Sequence, residues 1–200
     1  MRILLVAATA AELPASLPPH VTTLITGVGM VATAARCAQA LARRRYGLAL
    51  NIGVCGAFRP SYPPGTVVHV VADRLAELGA QDGDALLTIH DLKLPGEDEF
   101  VNHAPPPIPS LAALPTVRGI TVNTVHGTPD AIVRVVERCN PDVERMEGAA
   151  FMYACLLEQV PFAQVRAVSN VVERRDRETW KMREALEALS TVTLDIIGQA

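Results

Sequence analysis

Near the start of the chain stands the apolar run Ile3-Leu4-Leu5-Val6-Ala7, and Glu12 follows shortly after it. A short run that is apolar at every position is typical of a strand buried on both faces of a sheet. Further along, similar runs alternate with segments in which the apolar residues have helical spacing. This alternation predicts an α/β domain, with Glu12 just beyond the carboxyl end of the first strand, where open α/β sheets bind their ligands.

The remaining elements follow from the same patterns. The predicted strands after the first are residues 21–26, 48–52, 66–72, 86–90, 119–125 and 163–168, and the predicted helices are residues 31–45, 130–139, 147–158 and about 177–197. We expect a glycine-bearing turn, Gly53-Val54-Cys55-Gly56, directly after the strand at 48–52. Residues 93–115 hold six of the fifteen prolines, so we expect a long loop there with no regular strand or helix.

Composition excludes several classes of protein. The chain has 200 residues, of which 50% are hydrophobic and 20% charged, and its formal net charge is −3. A chain in which half of the residues are apolar is not disordered. Its weakly negative net charge excludes a broadly basic surface for nucleic acid. No repeat or shift in composition marks a boundary, so we expect a single domain over residues 1–200.

The segment 3–11 has a second interpretation, because Ala8-Thr9-Ala10 resembles a signal-peptidase site behind one arginine. A single basic residue and the globular pattern that follows favour a buried first strand instead, and the stretch is too short to span a bilayer. The four cysteines are far apart and form no C-x-x-C motif, so we expect neither disulfides nor a zinc site, and a cytoplasmic location.

Gly27-Val28-Gly29-Met30-Val31-Ala32 fits the G-x-G-x-x-G/A fingerprint of dinucleotide-binding turns. That fingerprint also requires an acidic residue at the end of the next strand to bind the ribose, and this chain has Asn51 there. We therefore favour a turn whose backbone N–H groups approach a ligand or water closely. No organic cofactor is expected.

Two carboxylates and one amide are the candidates for chemistry. Glu147 opens an otherwise apolar helix, where a glutamate could simply complement the helix dipole. Asn170 follows the strand at 163–168, where an asparagine in a turn is common. The histidines show no metal-ligand spacing, so we expect no metal site; they are His20, His69, His90, His103 and His126.

Taken in order, these segments resemble the nucleoside phosphorylase/nucleosidase superfamily. The first strand with Glu12 is similar to the start of the methylthioadenosine/S-adenosylhomocysteine nucleosidases. Successive turns of the superfamily are matched by residues 26–29, 51–56 and 64–68, its ribose-binding Met-Glu segment by residues 146–150, and the segment of its base-binding acid by residues 166–170. The resemblance covers residues 1 to about 197. It implies a mixed, twisted central sheet flanked by helices, and a homo-oligomer of at least two subunits.

Asn170 departs from the adenine-specific nucleosidases, which carry Asp at this position. The stretches 169–177 and 75–80 most resemble the futalosine hydrolase family, which cleaves futalosine to hypoxanthine and dehypoxanthine futalosine in the alternative menaquinone pathway. Hypoxanthine presents O6 and N7 as acceptors, to which an asparagine amide can donate, whereas adenine presents an amino donor that suits a protonated carboxyl group better. The residues thus support the same subfamily.

The resemblance implies roles for individual residues. Glu12 would hold the attacking water and take its proton, and Glu147 would bind the ribose hydroxyls. Asn170 would bind the departing base. Further substrate contacts are expected from Met146 on the ribose, from Val54, Cys55 and Gly56 along the site, and from Arg174, Arg175 or His103 at the carboxylate of the tail that futalosine carries on its 5′ side.

Alternatives remain open at this stage. The two arginines could be solvated loop charges, and the proline-rich loop could cover the tail or pack against a second subunit. A phosphate site would need cationic donors, for which only Arg36 and Arg59 are candidates, so hydrolysis is favoured over phosphorolysis. The other candidates are an adenine-type nucleosidase for methylthioadenosine, S-adenosylhomocysteine or aminodeoxyfutalosine, a purine nucleoside phosphorylase, and a non-catalytic purine nucleoside binder.

Overall fold

The computed structural model describes all 200 residues and contains ten strands and five α-helices. The strands are β1 Ile3–Ala7, β2 Val21–Ile25, β3 Leu48–Ala57, β4 Val67–Leu75, β5 Gly79–Asp82, β6 Ala85–Thr88, β7 Glu99–Val101, β8 Thr116–Thr121, β9 Val143–Arg145 and β10 Phe162–Val171. The helices are α1 Met30–Arg43, α2 Pro109–Ala112, α3 Pro129–Cys139, α4 Gly148–Leu157 and α5 Met182–Gln199, and short 3₁₀ turns cover Ala10–Glu12 and Arg177–Thr179.

The main sheet is mixed and has eight strands, in the order β10-β4-β8-β9-β3-β1-β2 with β7 paired to β4. Because β10 also pairs with β3, the five strands β3, β10, β4, β8 and β9 form a closed ring. Strands β1 and β2 run parallel to β3, as does β10 on its other side. The carboxyl ends of these four parallel strands therefore lie at one edge of the sheet, which is where the functional residues are found.

The helices cover both faces of the sheet, which explains why β1 is apolar at every position. Leu4 and Val6 pack into a core cluster with residues of α1 and α4, whereas Ile3 and Leu5 pack into a second cluster with residues of α5. Alternate residues of a strand point to opposite faces, so a strand between two helical layers has no solvent side. All five residues of β1 are buried, and the prediction of a buried first strand is confirmed.

The predicted turn at residues 53–56 is wrong. Strand β3 continues to Ala57, because β10 runs beside it over its whole second half and because Gly56 and Ala57 also pair with β9. The chain does not turn at Gly53 or Gly56. At these two positions side chains from neighbouring elements lie close to where a Cβ atom would be, which accounts for the glycines.

Other boundaries also differ from the predictions. The proline-rich segment 93–115 contains β7 and the short helix α2, β5 and β9 were not predicted, and the strand expected at 119–125 is β8 at Thr116–Thr121. The last helix begins at Met182, after a 3₁₀ turn and a break at Trp180 and Lys181. Asn170 lies inside β10, just after a register shift between Val168 and Asn170. No helix is long and apolar enough to cross a membrane.

Candidate active site

A cavity of about 360 Å³ lies at the carboxyl edge of the sheet. Its walls come from the segments that follow β1, β2 and β8, from β9 and the residues after it, from the second halves of β3 and β10, and from the start of α5. Seven of the residues singled out in the sequence line this one cavity: Glu12, Val54, Cys55, Gly56, Met146, Glu147 and Asn170. Its volume is at the lower end of the range for small-molecule sites.

Glu12 is held by one of its two carboxylate oxygens. The Thr9 backbone N–H donates to Oε2 over 2.8 Å and the Thr9 hydroxyl donates to the same atom over 3.2 Å. The other oxygen, Oε1, has no hydrogen-bond partner within the protein and lies 2.8 Å from the point that a Cβ atom on Gly53 would occupy. Glu12 is thus fixed in position with one oxygen available to accept a proton from a water molecule.

Glu147 occupies the N-cap position of α4, but its side chain makes no capping hydrogen bond and lines the cavity instead. Its Oε1 accepts the backbone N–H of Gly29 over 2.9 Å, and Oε2 accepts that of Met146 over 3.2 Å. Gly29 has φ of 98°, a conformation that glycine adopts without strain. The glycine turn at residues 27–29 therefore presents a backbone N–H to a protein carboxylate, and each oxygen of Glu147 retains acceptor capacity for a ligand hydroxyl.

Asn170 has a defined amide orientation. The Ser169 hydroxyl donates to Oδ1 over 2.7 Å, and Nδ2 donates to the carbonyl of Val171 over 2.8 Å. Because the Val171 carbonyl can only accept, the amide atom facing it is the NH₂ nitrogen, and one of the two hydrogens of that group is uncommitted. Asn170 is therefore suited to donate to an acceptor atom in the cavity.

Sequence reasoning missed the third carboxylate of the cavity, Glu144 of β9, which is buried. The His126 backbone N–H donates to both oxygens over 3.1 and 3.3 Å, and the ring Nδ1 lies 2.7 Å from Oε2. The signal in the sequence was a charged pair, Glu144-Arg145, directly before Met146-Glu147. Two adjacent charged residues in a sequence usually indicate a loop exposed to solvent, and this pair is instead buried in β9.

Two guanidinium groups lie buried near the cavity and both bind protein partners, although Nη1 of Arg145 has none. Arg145 pairs with the buried carboxylate of Asp73 and also bonds Gln164. Arg166 bonds the side chain and carbonyl of Asn51. Burial, reinforced by the nearby Arg145, lowers the pKa of Arg166 to about 10, against the opposing charges of Glu147 and Glu12. Arg166 is still cationic at neutral pH, and an arginine among the mostly apolar residues of this strand could have been noticed in the sequence.

Cys55 is present in the cavity as a neutral thiol. Burial raises its pKa to about 11, so its thiolate is negligibly populated at neutral pH. The apolar part of the wall comes from Val54, Met146 and three residues on and before α5: Trp180, Met182 and Leu186. Because a neutral thiol is a weak nucleophile, the carboxylates are the groups of the cavity best suited to accept a proton.

Arg174 and Arg175 line an adjoining cavity of about 300 Å³, which shares Asn170 and Trp180 with the first. The Arg175 guanidinium stacks 4.8 Å over the Trp180 ring. His103 is placed elsewhere, since its neighbour Asn102 donates to the carbonyl of Phe162, at the opposite end of β10 from Asn170. His103 therefore does not belong to the site of its own chain.

The proline-rich segment also lies away from the cavity of its own chain. The Ser110 backbone N–H, in α2, donates to the side chain of Gln199, at the carboxyl end of α5. The residues of α5 that line the cavity, Met182 and Leu186, are at the other end of that 18-residue helix. The expectation that this segment covers the tail within one subunit is not supported, and packing against a second subunit stays a prediction.

Neither of the candidate phosphate donors faces the cavity. Arg36 donates to the carbonyl of Ile25, and Arg59 pairs with Asp142 and Asn140. No three His, Cys, Asp or Glu side chains come together in a way that could hold a metal ion. The charged groups on the cavity wall are thus three carboxylates and the committed Arg145.

Comparison with known proteins gives a consistent result. Residues 19–198 match the phosphorylase superfamily. The futalosine hydrolase of Thermus thermophilus is 34% identical over 88% of this chain and 80% of its own length, and that of Streptomyces coelicolor is 37% identical over 88% and 76%. Among solved structures, the futalosine hydrolase of Helicobacter pylori superposes with a TM-score of 0.80 at 11% identity, covering 100% of this chain and 98% of that one. A methylthioadenosine/S-adenosylhomocysteine nucleosidase from Colwellia psychrerythraea, in complex with adenine, superposes with a TM-score of 0.77 at 19% identity, covering 100% and 95%.

Proposed function

The chain belongs to the futalosine hydrolase family of the phosphorylase superfamily, and from this premise we propose that it hydrolyses the N-glycosidic bond of futalosine, releasing hypoxanthine and dehypoxanthine futalosine. The observation that carries the proposal is that Glu12, Glu147 and Asn170 line one cavity while an oxygen of Glu12 is free. These are the groups that water activation, ribose binding and base departure each require.

The attacking water is activated by Glu12. As the glycosidic bond lengthens, the sugar acquires oxocarbenium character, and a water molecule adds to the anomeric carbon. Oε1 of Glu12 accepts the proton of that water, while the two hydrogen bonds from Thr9 to Oε2 keep the carboxylate in place. A positioned base avoids the entropic cost of recruiting one from solution.

The ribose is bound by Glu147, which accepts hydrogen bonds from the sugar hydroxyls, with Met146 packing against the ring. The negative charge of Glu147 stabilises a cationic sugar more than a neutral one, so its interaction is stronger in the transition state than with bound substrate. The two backbone N–H groups that hold Glu147 are neutral, so no cation is hydrogen-bonded to its carboxylate.

The departing base is bound by Asn170. Its uncommitted N–H donates to O6 or N7 of the oxopurine and stabilises the negative charge that develops there. Hypoxanthine is a better leaving group than adenine, so a neutral donor suffices where an adenine-specific enzyme uses an acid.

Water, rather than phosphate, is the acceptor of the sugar. Three carboxylates on the cavity wall would repel a phosphate anion, and Arg145 is already paired with Asp73.

The test of the proposed function is base release, measured by chromatography with futalosine, aminodeoxyfutalosine, inosine and methylthioadenosine, each with and without phosphate. We expect hypoxanthine from futalosine at a rate independent of phosphate. Adenine release or phosphate dependence would support one of the rival enzymes, and binding of hypoxanthine without turnover would support the non-catalytic binder.

The role of Glu12 is tested by Glu12→Gln, which keeps the size of the side chain and removes the base. We expect kcat to fall by about 10²- to 10⁴-fold with the substrate Kd nearly unchanged. Glu77→Gln is the control, because Glu77 contacts the backbone of Asn123 outside the cavity. Wild-type turnover in Glu12→Gln would refute the assignment.

For the carboxylate of the futalosine tail we propose Arg174 and Arg175. Support comes from their position beside Trp180, which lines both cavities, and from the stacking of Arg175 on that ring. Alanine variants should raise KM for futalosine about tenfold and leave KM for inosine, which lacks the tail, unchanged. Equal effects on the two substrates would mean that the tail is bound by other residues.

We also propose that the protein is a homo-oligomer whose subunits meet through α1 and α4. An apolar groove lies between these helices, and Val31, Tyr153 and Leu157 are 80%, 46% and 61% exposed along it. Contiguous apolar surface of this kind is uncommon on monomers. Sedimentation equilibrium should show a dimer or larger species that Val31→Glu dissociates, whereas Val133→Glu, at an exposed valine of α3, should leave the assembly intact. A monomeric wild type would refute this proposal.

A further inference from the structure

Glu144 is the one carboxylate of the cavity wall to which the mechanism above gives no role. It is 4% exposed and lies on β9 opposite Gly56 of β3. The point that a Cβ atom on Gly56 would occupy is 2.9 Å from Cγ2 of Val172, 3.3 Å from Nδ2 of Asn170 and 3.7 Å from Cγ of Glu144. Asn170 and Glu144 therefore both lie close to Gly56, beside Val172, at the end of the cavity where the base binds to Asn170.

The contacts of Glu144 with His126 leave part of the carboxylate free. Oε2 accepts from the ring Nδ1 over 2.7 Å and shares the backbone N–H of His126 at 3.3 Å, whereas Oε1 accepts only that shared N–H, at 3.1 Å. A carboxylate offers about four acceptor positions, so Oε1 retains one for a ligand. A buried, oriented carboxylate of this kind favours a donor on the ligand and disfavours an acceptor.

Hypoxanthine and adenine differ in whether N1, the ring atom next to position 6, is a hydrogen-bond donor or an acceptor. Hypoxanthine carries a hydrogen on N1 beside the O6 acceptor, whereas adenine has a bare N1 acceptor beside its amino donor. A donor from Asn170 and an acceptor from Glu144, side by side, match the O6 and N1–H of hypoxanthine. Adenine presents the opposite pattern, with a donor at position 6 and an acceptor at N1. The same two side chains would therefore place donor against donor and acceptor against acceptor.

We propose that Glu144, held in place by His126, accepts the N1–H of the oxopurine and is a specificity-determining residue for 6-oxo over 6-amino substrates. The inference rests on the proposed function and extends it, because Asn170 alone contacts an acceptor that N7 of adenine also offers. Glu144 is what excludes adenine at N1.

The test compares futalosine with aminodeoxyfutalosine, which differ only on this edge of the base. In Glu144→Gln the short bond from the ring Nδ1–H of His126 keeps the amide oxygen at the position of Oε2. The NH₂ group then takes the place of Oε1, faces N1 and suits a bare nitrogen. We expect the ratio of kcat/KM for futalosine to that for aminodeoxyfutalosine to fall on the order of 10- to 100-fold. Glu173→Gln removes the same charge from an exposed side chain of the adjoining cavity and should keep the wild-type ratio.

A binding measurement on the wild-type protein makes the test independent of whether the variant folds. By isothermal titration calorimetry, 1-methylhypoxanthine, which has no N1–H, should bind at least about tenfold more weakly than hypoxanthine. Methylation at N9, where the sugar is attached, should have little effect. An unchanged selectivity ratio in Glu144→Gln, or equal affinities for hypoxanthine and its 1-methyl derivative, overturns the inference. Failure of the wild type to release hypoxanthine from futalosine overturns the proposed function instead.

Discussion

Substituting Gly53 by alanine should impair catalysis without harming the fold. Gly53 lies in the middle of β3, in an extended conformation that alanine also adopts. The added Cβ would lie 2.8 Å from Oε1 of Glu12 and 3.5 Å from its Cδ. The Arg166 guanidinium carbon, at 3.7 Å, would be in ordinary contact. The new methyl group would therefore clash with only one atom, the oxygen that accepts the proton of the attacking water.

The size of the effect follows from that distance. A carbon and an oxygen atom in contact lie further apart than 2.8 Å, so the carboxylate must retreat by roughly 0.5 Å. Displacing a catalytic group by 1 Å can cost about 100-fold in rate, so we expect kcat to fall about tenfold. Alanine in a strand loses less conformational entropy on folding than glycine, so the free energy of unfolding should stay equal or rise by up to about 1 kcal/mol.

The assay combines initial rates of hypoxanthine release with denaturant unfolding of the same preparations. Gly198→Ala is the matched control, since a Cβ atom there would meet nothing within 4 Å, and it should keep the wild-type kcat. A Gly53→Ala variant with wild-type kcat would mean that Oε1 of Glu12 is not the proton acceptor. A variant that loses both activity and stability would mean that β3 cannot accommodate a side chain at this position.

Three further predictions use other contacts. Gly148→Ala would drive a methyl group into the buried Asp73 carboxylate, so the free energy of unfolding should drop by about 3 kcal/mol or more in urea titrations. Asn170→Asp should raise the kcat/KM for aminodeoxyfutalosine relative to futalosine, measured by base release. Burial lowers the pKa of His69 from 6.5 to about 4. Between those pH values the unfolded chain binds the extra proton, so stability should fall by up to about 3 kcal/mol on acidification from pH 6.5 to pH 4, and His69→Leu should flatten that dependence.

Much of the fold could be predicted because short, continuous segments of the sequence show which residues are buried. The strands β1, β2 and β10 and the helices α1, α3 and α4 each have a length and periodicity that identify them. The three residues of β9 are too few to show alternation, and β3 appeared to end at Gly53 because glycine usually marks a turn. Its continuation depends on β10, whose pairing is set more than a hundred residues away in sequence.

The site was predictable where a resemblance supplied the roles and much less so from the residues themselves. Glu12, Glu147 and Asn170 each stand at the end of an apolar segment, which is a local signal. Glu144 gives no such signal, because its partner His126 and its neighbour Gly56 meet it only in the folded chain. The tail contacts have the weakest basis, since His103 lies at the far end of β10 although it carries the right chemistry.

The way the three carboxylates are held explains how the site can favour a cationic sugar. Glu12, Glu147 and Glu144 each accept a backbone N–H, from Thr9, Gly29 and His126 respectively. A dipolar N–H fixes a carboxylate without cancelling its charge, whereas an arginine partner would neutralise it. Arg145 is neutralised by Asp73, whereas Arg166 is bonded to the neutral Asn51 and offsets only one of the three negative charges. The cavity therefore keeps a negative potential. This potential stabilises a neutral nucleoside little and a cationic, oxocarbenium-like transition state strongly.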